Sequence, residues 1–322
     1  MRFSSSAALL FLAAACTSSR PNEALTRATV PGELPPPEAV SLLGVPLYSP
    51  RPDSATRVRL HADLERARAE ANARPEDPDA LIWVGRRYGY LGQYRMAVNV
   101  FTEGHRRFPN DPRMLRHRGH RFITLRRFDD AILDLTRAGN LMAGRPDEVE
   151  PDGQPNARNV PIGSLQSNVW YHLALAHYLK GDWDAAAAIA RRGITVSSNP
   201  DRLVSQTHWL YMALRRAGKL EEARRSLEPI RDDFDIIEND SYYTLLKLYK
   251  SGVTPATVDS TLRRLENPSD LSLAYGLANW LLYNGDTTRA VAAFERILKS
   301  SQWASFGYIA AEADLAAIRR AR

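Results

Sequence analysis

The chain has 322 residues, of which 44% are hydrophobic and 25% charged, and its formal charge of +6 falls to +5 (42 basic against 37 acidic residues) if Arg2 leaves with a signal peptide. That is enough apolar material for a large core or for a series of stacked units. The charge is mild and scattered, with no long lysine or arginine block, which argues against nucleic-acid binding. Cys16 is the only cysteine, so no intramolecular disulfide can form.

Residues 1–15 carry one positive charge at Arg2, then the apolar run from Ala7 to Ala15, as a secretory signal does. The run is shorter than the roughly 20 apolar residues a membrane-spanning helix needs. Leu12-Ala13-Ala14-Ala15 before Cys16 resembles the lipobox of bacterial lipoproteins, although the leucine stands four rather than three residues before the cysteine. That resemblance implies that Cys16 is lipidated and becomes the mature N-terminus; a signal cleaved nearby would instead leave a free thiol. It also implies a place in the cell envelope, at the outer membrane of a diderm bacterium facing the periplasm or the surface, attached through the lipid anchor only. Residues 16–52 contain Pro21, Pro31, Pro35, Pro36, Pro37, Pro46, Pro50 and Pro52 and read as a tether. Within it Leu42, Leu43, Val45, Leu47 and Tyr48 form an apolar patch, which either packs on the folded body, the simpler reading, or meets a partner.

Residues 53–322 read as helical. Asp53 and Ser54 can cap a helix running to about Asn72, with Leu60, Leu64, Ala67 and Ala71 along one face. In residues 78–111, Val84, Gly85, Tyr88, Gly92, Tyr94, Ala97, Phe101 and Pro109 fall in the order of a helix, a tight turn and a second helix. This stretch resembles a tetratricopeptide repeat on its 34-residue frame. Pro112 stands 34 residues after Pro78 and opens a second copy with Gly119, Phe122, Phe128, Ala131, Leu135 and Ala138, in which Arg126 replaces the turn glycine. Further copies open near Ser167, Val204, Ser241 and Leu271, the fifth being degenerate. Residues 304–322 read as a capping helix whose polar face carries Glu312, Asp314, Arg319 and Arg320. The resemblance implies an all-α fold: a right-handed α-solenoid of about six helix pairs closed by N- and C-terminal capping helices.

Residues 144–166 break the period with Pro146, Pro151, Pro155, Pro161, Gly153 and Gly163. The stretch is too long for an ordinary helix–helix connection, and its Asn156-Ala157-Arg158-Asn159 run with Val160 and Ile162 suits an ordered loop lying against the solenoid.

In tetratricopeptide solenoids the first helix of each pair lines the concave groove. Carried over by position, the resemblance assigns to that groove Arg86, Tyr90, Arg113, Arg116, His120, Tyr171, Tyr178, His208, Arg215, Tyr242, Tyr249, Tyr275, Asn279 and Tyr283. Tyrosine, histidine and arginine offer large contact areas with polar tips, as an extended peptide or a glycan requires. The competing reading is that these side chains simply pack between neighbouring helices. Arg86, Arg116 and His120 at one end favour an acidic group. The carboxylate clamp of chaperone-binding repeats is not supported, because Ile82 and Arg86 occupy two of its positions.

Catalysis and cofactors find little support. His117 and His120 share a helical face but point to no third metal ligand. Asp147, Glu148, Glu150 and Asp152 do not have the spacing of a calcium loop, and neither a phosphate-cradling glycine loop nor a nucleophile elbow is present. The expectation is a non-enzymatic, envelope-anchored scaffold binding a protein or peptide in its groove, without metal, cofactor or nucleic acid. The alternative is a glycan- or small-ligand-binding lipoprotein serving uptake.

Overall fold

The computed structural model describes residues 35–264 and 270–321. Residues 1–34, which include the expected signal, Cys16 and most of the tether, lie outside the described residues. The body is all-α, with fourteen helices among the described residues and a single two-stranded hairpin, β1 (Ala39–Val40) and β2 (Pro46–Leu47). The helices are α1 (Ser54–Ala73), α2 (Pro78–Tyr90), α3 (Tyr94–Arg107), α4 (Pro112–Thr124), α5 (Phe128–Leu141), α6 (Leu165–Lys180), α7 (Trp183–Thr195), α8 (Pro200–Arg216), α9 (Leu220–Ser226), α10 (Asp240–Ser251), α11 (Pro255–Arg264), α12 (Leu271–Tyr283), α13 (Thr287–Ile297) and α14 (Phe306–Arg320).

Local chemistry sets the repeat starts. Asp77 and Asp111 cap α2 and α4, each accepting a backbone N–H from two residues on at 2.9 Å, and each is followed by a proline that needs no intrahelical partner. Short turns then force each first helix back against its second, as in α2 on α3 and α4 on α5. The crossing is close because it is built on glycine: a Cβ on Gly119 would stand 2.6 Å from Leu135 Cγ, and one on Gly85 would enter the Phe101 ring. The helix expected ahead of the repeats is α1, which buries Leu60 and Leu64 against Ile82 and Val84 and covers α2. The worn fifth pair is α10 with the short α11, which packs on α12, and the fourth copy also ends in a short helix, α9, of seven residues.

Two expectations need correcting. Of the polar face expected on the C-terminal helix α14, Arg319 and Arg320 are exposed but Glu312 and Asp314 are not. The helix packs against α6, α12 and α13, and is buried from Gly307 through Ala316, Glu312 and Asp314 included. Second, the distal end of the expected tether belongs to the body. The backbone N–H of Arg95, at the start of α3, donates to Glu38, Ser49 Oγ donates to the Gly92 carbonyl, Trp303 Nε1 donates to the Tyr48 carbonyl, and Leu47 is buried. Of the expected apolar patch Leu42, Leu43 and Leu47 pack on the core while Val45 and Tyr48 are exposed, and residues 37–52 thereby tie the α2–α3 turn to the segment before α14.

Candidate functional site

The row expected to line one groove divides into three environments. In the middle, Tyr171, Tyr178, His208, Tyr242, Tyr275 and Asn279 are all buried. Their hydroxyls are used internally. Tyr171 and Tyr242 share a hydrogen bond at 3.0 Å, Trp209 Nε1 donates to Tyr171 at 3.1 Å, and Tyr178 meets Tyr275 at 2.8 Å. Tyr275 in turn donates to Asp314 of α14, which is paired with Arg216 at 2.7 Å. Burial raises the phenol pKa of Tyr171 and Tyr275 well above the ordinary value, so they remain neutral donors. His208 is stacked on Tyr242 at 4.5 Å with neither ring nitrogen hydrogen-bonded, and desolvation lowers its pKa to about 3. These residues are core, not groove, because α14 and the neighbouring first helices remove them from solvent.

What seats α14 begins at the missing turn glycine. Arg126 adopts the left-handed conformation, φ 63°, that glycine takes at position 92. Its guanidinium gives two bonds to Glu312, 3.1 Å from Nε and 2.8 Å from Nη2, and others to the carbonyls of Thr124 and Trp303. Glu312 also accepts the Leu42 backbone N–H at 2.7 Å. The side chains of this pair are 3% and 1% exposed, so each charge depends on the other. Sequence reasoning recorded the departure at Arg126 without its partner, 186 residues away.

At the other end of the row, α2 and α4 face each other across a polar seam. Gly85, Arg86, Gly89 and Tyr90 from α2, Phe101 from α3, and Arg116, His117, His120 and Arg121 from α4 surround a cavity of about 160 Å³. The seam lies where two apolar clusters among the described residues meet, one built on α1–α3 with Met114 of α4, the other running on to α14 and including Tyr94 and Val98 of α3. Arg86 lies over the Trp83 ring and donates to Tyr90 Oη at 3.2 Å. Buried Arg116 pairs with Glu150 at 2.7 Å and reaches His117 Nδ1 at 3.0 Å. That contact makes Nδ1 the acceptor and leaves the ring proton on Nε2, 3.7 Å from the other Glu150 oxygen. Arg121 lies against His120, and His120 against His172 at 4.3 Å. Desolvation first, and the neighbouring guanidinium charges second, hold His117, His120 and His172 well below their usual pKa, so all three are neutral near pH 7. Desolvation also lowers Arg121 to about 10.

The 144–166 loop closes one side of this seam. Its Glu150 backbone bonds to Gly163, and its side chain accepts from Asn168, which is tied to Arg202 of α8. Gly153 lies on the Tyr90 ring, and Arg158 pairs with Asp235 at 2.5 Å. Glu150 is therefore a counter-charge to Arg116, and Asp147 accepts the backbone N–H groups of Glu148 and Gln166. Among the described residues no three His, Cys, Asp or Glu side chains are grouped to hold a metal.

The remaining row residues fall elsewhere. Arg113 is tied to its capping Asp111 and to Asp79 on the rim of a different cavity. Arg215 and Tyr249 line a cavity of about 560 Å³ with Tyr211, Lys250, Trp280 and Asn284, and Arg215 lies over the Tyr283 ring at 4.2 Å. The seam residues that sequence reasoning did not assign to a binding site are Arg121 and His117. The Arg116-His117-Arg118 and His120-Arg121 clustering on one short helix was the signal available for them.

Two stretches match tetratricopeptide repeat models, residues 157–200 and residues 273–301. The first spans the loop end and α6–α7, the second α12–α13, so the chain contains such repeats. No curated protein sequence matches it. Among solved structures it is similar to YrrB, described as a TPR protein with an unusual peptide-binding site, at 11% identity, 80% coverage of this chain, 100% of that chain and TM-score 0.41. It is also similar to kinesin light chain TPR-like repeats of Podosopora anserina, at 19% identity, 71% and 97% coverage and TM-score 0.40.

Proposed function

We propose that this protein is a non-catalytic helical-repeat scaffold that binds a protein or peptide partner at the α2–α4 end of its solenoid, and that Cys16 carries a lipid holding it in the cell envelope. The observation that carries the binding reading is the charge imbalance at the seam. Arg86, Arg116 and Arg121 converge there, and among the described residues no carboxylate lies within ion-pair distance of Arg86 or Arg121. An acidic group on the partner would supply the missing counter-charge, and half-buried Tyr90 would add contact area. The middle of the row has no such vacancy for a partner, since α14 fills it.

Fluorescence anisotropy with labelled acidic and neutral peptides tests this directly. Acidic peptides should bind the wild-type chain and lose affinity to Arg86→Glu and to Tyr90→Ala, with helicity unchanged. Equal binding of acidic and neutral peptides by all three proteins would refute the assignment. A second reading, a glycan or small-ligand site, draws support from the larger cavity, where Tyr211, Tyr249 and Trp280 offer aromatic surface beside Arg215, Lys250 and Asn284. Thermal-shift screening against oligosaccharides, compared between wild type and Trp280→Ala, separates it from the first.

A further inference from the structure

We infer that the α2–α4 seam accepts a phosphoryl group, with Arg86, Arg116 and Arg121 as its counter-charges. The inference rests on the basic-end reading above and specifies the group that is bound. Size is the first ground. At about 160 Å³ the cavity is below the roughly 300 Å³ at which small-molecule sites begin, so it fits one compact functional group and its point of attachment rather than a whole ligand.

Donor count is the second. A carboxylate presents two oxygens in a plane and is satisfied by one guanidinium fork, whereas a phosphoryl group presents three strong acceptor oxygens and close to two negative charges. The seam offers three guanidiniums from two helices. Arg116 spends Nη1 on His117 and Nη2 on Glu150, but its Nε is buried with no partner, a donor left unmet in the wall of the cavity. Tyr90 Oη accepts from Arg86 and keeps its own proton to donate.

Net charge is the third. Glu150 and Asp152 of the long loop act electrostatically on these arginines, and Arg202 of α8, which also acts on Arg116, is itself offset by Asp201 and Glu238, leaving three guanidiniums of the seam against two carboxylates. A bound anion would supply the negative charge that this cluster lacks. Desolvated arginines held together without such an ion repel one another, which favours a site that fills.

The test uses the full chain, titrated calorimetrically with inorganic phosphate, with a phosphoserine peptide, and with the same peptide carrying glutamate instead. Phosphate and phosphopeptide should bind in competition, the glutamate peptide should bind at least about tenfold more weakly, and Arg121→Met should weaken phosphate by about tenfold or more. Arg86→Gln, on a half-exposed side chain, serves as a second variant should Arg121→Met fail to fold. Binding of the glutamate peptide with none of phosphate overturns the phosphoryl assignment and leaves the scaffold reading standing. Phosphate binding that both variants retain in full overturns the site. Phosphate binding lost in the variants, with no peptide bound, upholds the pocket and refutes the peptide scaffold. No binding of any probe refutes both.

Discussion

The seam between α2 and α4 and the stack of α6, α8, α10 and α12 are built from the same position in successive helix pairs, yet they end in opposite states. In the stack, tyrosines and His208 meet each other and α14, and their polar atoms bond mostly within the protein. In the seam, arginines and histidines surround a cavity, and the helix that fills the stack reaches it only at Phe306, whose ring stands 5.3 Å from His120. The difference shows that a place in the repeat frame sets direction, not exposure. What lies opposite decides whether a polar aromatic row becomes core or site.

Acid should separate the two regions most strongly. His117, His120 and His172 are neutral when folded, with pKa values depressed by burial and by the arginines. The unfolded chain therefore binds more protons, and stability is fully present above the unfolded pKa of about 6.5 and is lost as pH falls below it. Each histidine contributes a slope of up to about 1.4 kcal/mol per pH unit. His172 sits on α6, where the stack meets the seam, and His208, lowered to about 3, lies inside the stack, while α10 and α12 carry no histidine. Hydrogen exchange at pH 5 should find α2 and α4 opening before α10 and α12; the reverse order would break the comparison.

Glu312→Ala should be the most damaging single substitution, at about 3–5 kcal/mol in urea denaturation, since it strands Arg126 in the interior. The double replacement Arg126→Met with Glu312→Leu should recover most of that loss. If the single variant is as stable as the parent, the ion pair does not seat α14. Glu150→Gln should cost about 2–4 kcal/mol for the same reason at Arg116, and should also loosen the 144–166 loop to proteolysis. Gly119→Ala should cost about 1–3 kcal/mol by forcing a methyl group onto Leu135 in the α4–α5 crossing, read as a fall in Tm. Arg121→Met should be the mildest, within about 1 kcal/mol of the parent, because among the described residues no carboxylate depends on Arg121. A loss as large as that of Glu312→Ala would mean that the seam is structural in the way the stack is.

Much of the fold was legible because it is local. The Asp-Pro starts at positions 77 and 111, the turn glycine at 92, the small residues at 85 and 119 and the apolar face of α1 each act within a few residues or one helix crossing. The site was legible only in part. Arg86, Arg116 and His120 were expected at a basic end and line one cavity together with Tyr90 of the same row, whereas Tyr171, Tyr178, His208, Tyr242, Tyr275 and Asn279 were expected at a groove and are buried. Arg126 is the clearest case of a signal without a meaning in one dimension. A left-handed arginine costs of order 1 kcal/mol or more where glycine would cost none, and the ion pair that repays it comes from the far end of the chain.

The sequence by itself determined that this protein is a chain of paired helices, with the 34-residue spacing kept between the starts at Pro78 and Pro112, because helix starts, turns and crossings obey short-range sterics and capping. The tertiary structure alone decided which residues of the row line the seam cavity and which are core. The return of α14, the hairpin that ties residues 37–52 to it and the loop that brings Glu150 to Arg116 are contacts between distant segments, and desolvation, which is a property of the surroundings, fixes what each polar side chain can do.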